Sequence, residues 1–84
     1  MEFYYFRCRS VTYAQRASKA LESAGVNCGV AKLPQKLSNN GCGYSLKISK
    51  KNGIKAYDLL KKAGFEIKEI YISDNNAEYK EVSL

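Results

Sequence analysis

The chain has 84 residues, with 14 Lys and Arg against 8 Asp and Glu, for a formal charge of +6. That length makes one domain with a single core layer between a sheet and helices, and leaves no room for a deep, walled catalytic cleft. Histidine is absent, which removes the commonest general base and the commonest metal ligand; the positive balance favours anionic partners and also keeps a small domain dispersed in water.

Phe3 to Cys8 is rich in aromatics and predicts a first strand. Tyr4, Phe6 and Cys8 fall on one face of it, and Phe3, Tyr5 and Arg7 on the other. Ser10 or Thr12 offers a helix N-cap, and Thr12 with Gln15 has the capping-box spacing. Ala14, Ala17, Leu21 and Ala24 then recur at helical spacing, which predicts a helix with a narrow, small-residue face. Gly25 stands where a left-handed C-terminal cap belongs.

Val26 to Leu33 predicts a second strand, with Val26, Cys28 and Val30 on one face, and Pro34 ends it because proline cannot donate to a ladder. Residues 35–43 read as a polar loop. Tyr44, Leu46 and Ile48 alternate with polar residues and predict a third strand. Lys50 to Gly53 reads as a turn. Ala56, Leu59, Leu60 and Ala63 fit a second helix, which Gly64 caps as Gly25 caps the first. Phe65 to Ile72 predicts a fourth strand. From Ser73 onward the residues are polar and mixed, and predict a loose tail or a weak added edge.

The order β-α-β-β-α-β predicts an α+β domain of ferredoxin-like split type over residues 1–72, with a polar C-terminal tail over 73–84. It implies a four-stranded antiparallel sheet with both helices on one face. The other face stays open, and Phe3, Tyr5, Arg7 and Arg9 are expected on it as an interaction face.

The three cysteines are Cys8, Cys28 and Cys42. Their number is odd, no CxxC pair occurs, and no apolar leader opens the chain, so free thiols in a reducing, cytoplasmic setting are expected. No apolar run approaches the roughly 20 residues of a membrane helix. Cys8 and Cys28 lie within predicted strands, where a thiol packs as a small apolar group. Zinc sites use paired short spacings, which are missing, so neither a metal nor another cofactor is expected.

Cys42 differs because glycines flank it. Gly41 and Gly43 let the backbone approach a bound atom, successive N–H groups in such a turn favour an anion, and Lys36, Lys47, Lys50 and Lys51 are near in sequence. These features favour the thiolate, which is the nucleophile. The other reading is a small residue tucked under a glycine-rich turn. The aromatic and basic face of the first strand has the composition to stack bases, but the third strand lacks the aromatic and glycine pattern of RNA-recognition modules, so a partner or dimer face fits better and nucleic acid is not expected. The carboxylates are scattered, and none pairs in the way general acid–base catalysis requires.

These features together resemble one family. An aromatic first strand, Tyr4-Tyr5-Phe6, runs into Ser10 at a helix start, and Gly25 ends that helix. A strand closes in Leu33-Pro34, and Leu37-Ser38 leads to Cys42-Gly43-Tyr44-Ser45-Leu46. In this the chain resembles the small bacterial selenium/sulfur carrier-like domains, related to the C-terminal domain of sulfur-relay proteins of selenium metabolism. The likeness covers roughly residues 3–72. It departs from the family where a second proline is common, since Gln35 precedes Lys36 here, and where Asn39-Asn40-Gly41 lengthens the approach to Cys42.

The resemblance implies that Cys42 carries sulfur or selenium as a persulfide or selenopersulfide. Pro34, Gly41 and Gly43 would shape its surroundings, Lys36 would supply charge and Ser38 a hydrogen bond. It implies a carrier rather than a turnover enzyme, with a donor or acceptor protein as partner. The alternative is an adaptor or homodimer module that uses the open sheet face.

Overall fold

The computed structural model describes residues 2–33, 43–67, 69–73 and 78–84. Strand β1 spans Phe3–Arg7 and helix α1 Val11–Ser23. Strands β2 (Gly29–Lys32) and β3 (Tyr44–Ser49) follow, then a 3-10 turn at Lys50–Asn52 and helix α2 (Gly53–Lys62). Strands β4 (Ile70–Ser73) and β5 (Lys80–Val82) complete the order. The fold is α+β: two helices and a five-stranded antiparallel sheet in the order β2-β3-β1-β4-β5. The expected sheet of four strands is therefore corrected to five. The fifth comes from the segment expected as a tail or a weak added edge, and it pairs Ile70 with Val82 and Ile72 with Lys80.

The core lies between the helices and one sheet face. Phe6, Leu46, Ile48 and Ile70 project from the sheet, and Ala14, Ala17, Leu21, Ala56 and Leu60 meet them from the helices. Both helices therefore cover the same face. The expected phase of β1 holds, with Phe6 and Cys8 buried on the helix side and Tyr4 packed beside them, while Tyr5 joins a separate cluster on the far face.

Helix α1 starts at Ser10, whose hydroxyl accepts the Tyr13 N–H at 3.0 Å. Thr12, the other candidate cap, lies inside the helix. Both helices end in one motif. Val26 N–H donates to the Leu21 carbonyl and Gly25 N–H to that of Glu22; Phe65 N–H donates to Leu60 and Gly64 N–H to Lys61. These pairs satisfy carbonyls that would otherwise be orphaned, and they need a left-handed residue, which Gly25 (φ 82°) and Gly64 (φ 89°) supply. The motif also drives Val26 and Phe65 back onto the core beside Leu21 and Leu60.

Strands β2 and β4 are shorter than expected. Val26 is buried, Cys28 half-buried and Val30 exposed, because this segment leaves the cover of α1 as it runs out to the sheet edge. Phe65 and Ile67 pack on the core without entering a strand.

Gly53 does more than turn the chain. It opens α2 with helical φ, and a Cβ there would overlap the Tyr4 ring. We expect Gly53→Ala to cost about 1–3 kcal/mol by overpacking. In a Tyr4→Ala background the same change should be neutral or stabilising, since alanine is favoured in a helix by up to about 1 kcal/mol. A urea double-mutant cycle checks this, and an equal loss in both backgrounds would rule out the ring contact as the cause.

Candidate functional site

The β2–β3 hairpin frames the segment that carries Cys42. Val30 pairs with Leu46, Ala31 with Ser45 and Lys32 with Tyr44. Beyond Lys32, Leu33 N–H donates to the Gly43 carbonyl, and both residues are buried. The Ser45 hydroxyl donates to the Ala31 carbonyl at 3.1 Å, which satisfies a buried polar group. Pro34, Lys36, Ser38, Gly41 and Cys42 lie outside the described residues.

The frame is tied to the first half of the chain. Cys8 N–H donates to the Tyr44 carbonyl at 2.9 Å. Two residues later Ser10 caps α1, so the hairpin end and the helix N-terminus share one end of the sheet. The same end holds the Arg9 guanidinium, 4.9 Å from the centre of the Tyr13 ring. Tyr13 in turn meets Phe65 edge-on at 5.4 Å, and its hydroxyl accepts the Glu66 N–H. Arg9, expected on the open sheet face, has instead turned to the helix side, because β1 ends at Arg7 and the alternation stops there. A helix N-terminus and an arginine both favour negative charge nearby.

The other two thiols are poor nucleophiles. Cys8 is 2% exposed and its thiol donates to the Phe6 carbonyl. Cys28 is half-buried, with its Sγ 3.3 Å from the Ser18 hydroxyl oxygen. Burial pushes its thiol pKa up, the contact with Ser18 opposes this, and the Glu22 charge adds to the rise. Both are free thiols.

The expected interaction residues share one sheet face, and other side chains of the chain cover them. Tyr5 is 5% exposed beneath Tyr79, which meets it edge-on at 5.1 Å. The Lys47 ammonium sits 4.3 Å from the centre of the Phe3 ring. Arg7 pairs with Glu69 at 2.6 Å, and the Tyr71 hydroxyl donates to the same carboxylate oxygen at 2.9 Å. Sequence reasoning missed these pairings. Tyr79 lies in a stretch with little periodicity and Glu69 within the expected fourth strand, but neither position names its partner, which only the folded sheet places beside it.

The hydrogen bond from Arg7 holds the Glu69 carboxyl below its ordinary value of 4.5; burial opposes this and the Tyr71 hydroxyl assists it. The folded state thus binds this proton less tightly than the unfolded state. The pair's contribution is complete above the ordinary value and fades as pH falls through the lower folded one. We expect Glu69→Gln to lower the unfolding free energy measured in urea at pH 7, by less than about 1 kcal/mol for so accessible a pair. The gap should close towards pH 3, and a gap unchanged by pH would exclude the carboxylate as its source.

Among the described residues no group of three Cys, Asp or Glu could hold a metal ion, and no helix is long and apolar enough to cross a membrane. Neither a curated protein nor a solved structure matches the chain. A family model does match, over residues 3–72, and its description is "Putative Se/S carrier protein-like". That span runs from the start of β1 into β4 and takes in the hairpin frame and the Cys42 segment, and the chain belongs to this selenium/sulfur carrier-like family.

Proposed function

We propose that this chain is a sulfur or selenium carrier and that Cys42 is the carrying residue. The family match across the hairpin that leads into Cys42-Gly43 carries this reading. The burial of Cys8, which keeps partners from its sulfur, and the raised pKa of Cys28, which disfavours its thiolate, support it. The strand order β2-β3-β1-β4, with β3 between β1 and β2, supports the ferredoxin-like split arrangement expected for such a domain.

The step is an exchange. The Cys42 thiolate attacks the terminal sulfur or selenium of a partner's persulfide or selenopersulfide. The partner's chalcogen bond breaks as the new bond to Cys42 forms, and the partner leaves as a thiolate. No electrons are gained or lost overall. Passage to an acceptor thiolate repeats the step in reverse sense. In this reading Gly41 and Gly43 shape the backbone, while Lys36, Ser38 and the charge of Arg9 favour the bound anion. The setting in this reading is reducing and cytoplasmic, on the odd number and unpaired spacing of Cys8, Cys28 and Cys42 in the sequence. The adaptor or dimer alternative draws no support from Tyr5, which Tyr79 buries.

Alkylation of each cysteine followed against pH by mass spectrometry tests the reading. Cys42 should react fastest, with an apparent pKa below the free-thiol value of about 8.5. A Cys42 that reacts no faster than Cys28 would end it.

A further inference from the structure

Strand β2 forms one edge of the sheet. Because Leu33 N–H bonds to Gly43 and bonding alternates along an antiparallel pair, Gly29, Ala31 and Leu33 turn their peptide groups toward β3. Val30 and Lys32 turn theirs to the free edge, which leaves two N–H groups and two carbonyls without a strand partner among the described residues. The same alternation places the Val30 and Lys32 side chains on the helix side. There an open groove of about 500 Å³ runs between α1 and β2, lined by Gln15, Arg16, Lys19, Glu22 and Val30 among others. Val30 is 40% exposed in it. Arg16 and Lys19 line the groove with the single carboxylate of Glu22, and Lys32 is exposed two residues along β2 from Val30, on the same face.

We propose that an extended, acidic segment of the chalcogen donor or acceptor protein adds to β2 as a further strand. Its backbone takes up the free groups of Val30 and Lys32. Its acidic side chains lie over Arg16, Lys19 and Lys32, and an apolar one covers Val30. Charge selects this occupant over a second copy, because two β2 edges laid together would oppose lysine to lysine and +6 to +6. The inference rests on the carrier reading, since β2 runs directly into the segment that bears Cys42.

The probe is a fluorescein-labelled Glu–Val peptide, Ser-Glu-Ser-Val-Ser-Glu-Ser, which sets Glu, Val and Glu on one strand face. Anisotropy should show it binding the full chain at low salt, while a Lys–Val peptide does not bind. Amide exchange at Val30 and Lys32 should slow when it binds. Arg16→Glu and Lys19→Glu should each weaken it by about tenfold. Val30→Pro should abolish it while sparing the ladder to β3, because the lost N–H faces outward. Failure of the Glu–Val peptide to bind, or binding that survives N-methylation of its alternate amides, overturns the proposal. So does protection of Val30 and Lys32 that grows with protein concentration alone, which marks a second copy. Cys42→Ser should bind the peptide as the unchanged chain does. Peptide binding without loading of Cys42 would therefore sink the carrier reading, and loading without peptide binding would sink the docking site.

Discussion

Cys42→Ser is expected to abolish chalcogen loading outright, because it removes the thiolate of the proposed carrying residue. A serine hydroxyl stays protonated at neutral pH and is a weak nucleophile without an adjacent base. Histidine, the usual activator of such a hydroxyl, is absent from the chain. The measurement is mass spectrometry of the intact chain after exposure to a small-molecule persulfide. The unchanged chain should gain one sulfur, lost again on reduction, and Cys42→Ser should gain none. Cys8→Ala and Cys28→Ala serve as the comparison and should load normally. Loading that persists in Cys42→Ser and disappears in Cys28→Ala would transfer the chemistry to the thiol beside Ser18.

Phe6→Ala should produce the largest loss of stability. Phe6 is fully buried in β1, opposite Leu46 on one side and Ile70 on the other. Its ring stands edge-on to Tyr57 at 6.1 Å and tilted to Tyr4 at 6.4 Å. Removing it leaves a cavity that strands and helices fixed by other contacts cannot close, at a cost of about 3–5 kcal/mol. A chain of this length has roughly 4–13 kcal/mol in total. Thermal unfolding followed by circular dichroism should fall by more than about 12 °C. Phe6→Leu, which keeps most of the volume, should lose far less. A small, equal shift for both would mean that the ring is not central to the core.

The parts of the fold that follow from local rules were legible in the sequence. Alternation through Phe3–Arg7 gave both faces of β1, and the small residues Ala14 and Ala17 with Leu21 gave the buried side of α1. Gly25 and Gly64 marked both helix ends because their caps require a conformation that other residues resist. The parts that depend on distant partners were not legible. Strand β5 is three residues long, and of these Val82 alone packs against the core; nothing in Lys80-Glu81-Val82 announces a strand until β4 offers it an edge. The cover over Tyr5 required Tyr79, 74 positions on in the chain, to fold back across the sheet. Arg9 left its expected face because pleating stops where β1 stops. At the site, the sequence pointed to Cys42 through its glycines and through a family likeness that the match over residues 3–72 bears out. It gave no hint that Leu33 and Gly43 close the frame.

The central place of β1 has a consequence for biosynthesis. Both neighbours of β1, β3 and β4, lie later in the chain. On the ribosome Phe3–Arg7 therefore leaves the exit tunnel well before anything it can pair with. At about 5–20 residues per second, the interval until Ser73 has been added lasts roughly 3–13 s. During that time an aromatic strand with two bare edges stands in the company of other nascent chains. Arg7 and Arg9, which follow its aromatic run directly, are the charges that oppose untimely pairing in this interval, before Glu69 is made and pairs with Arg7.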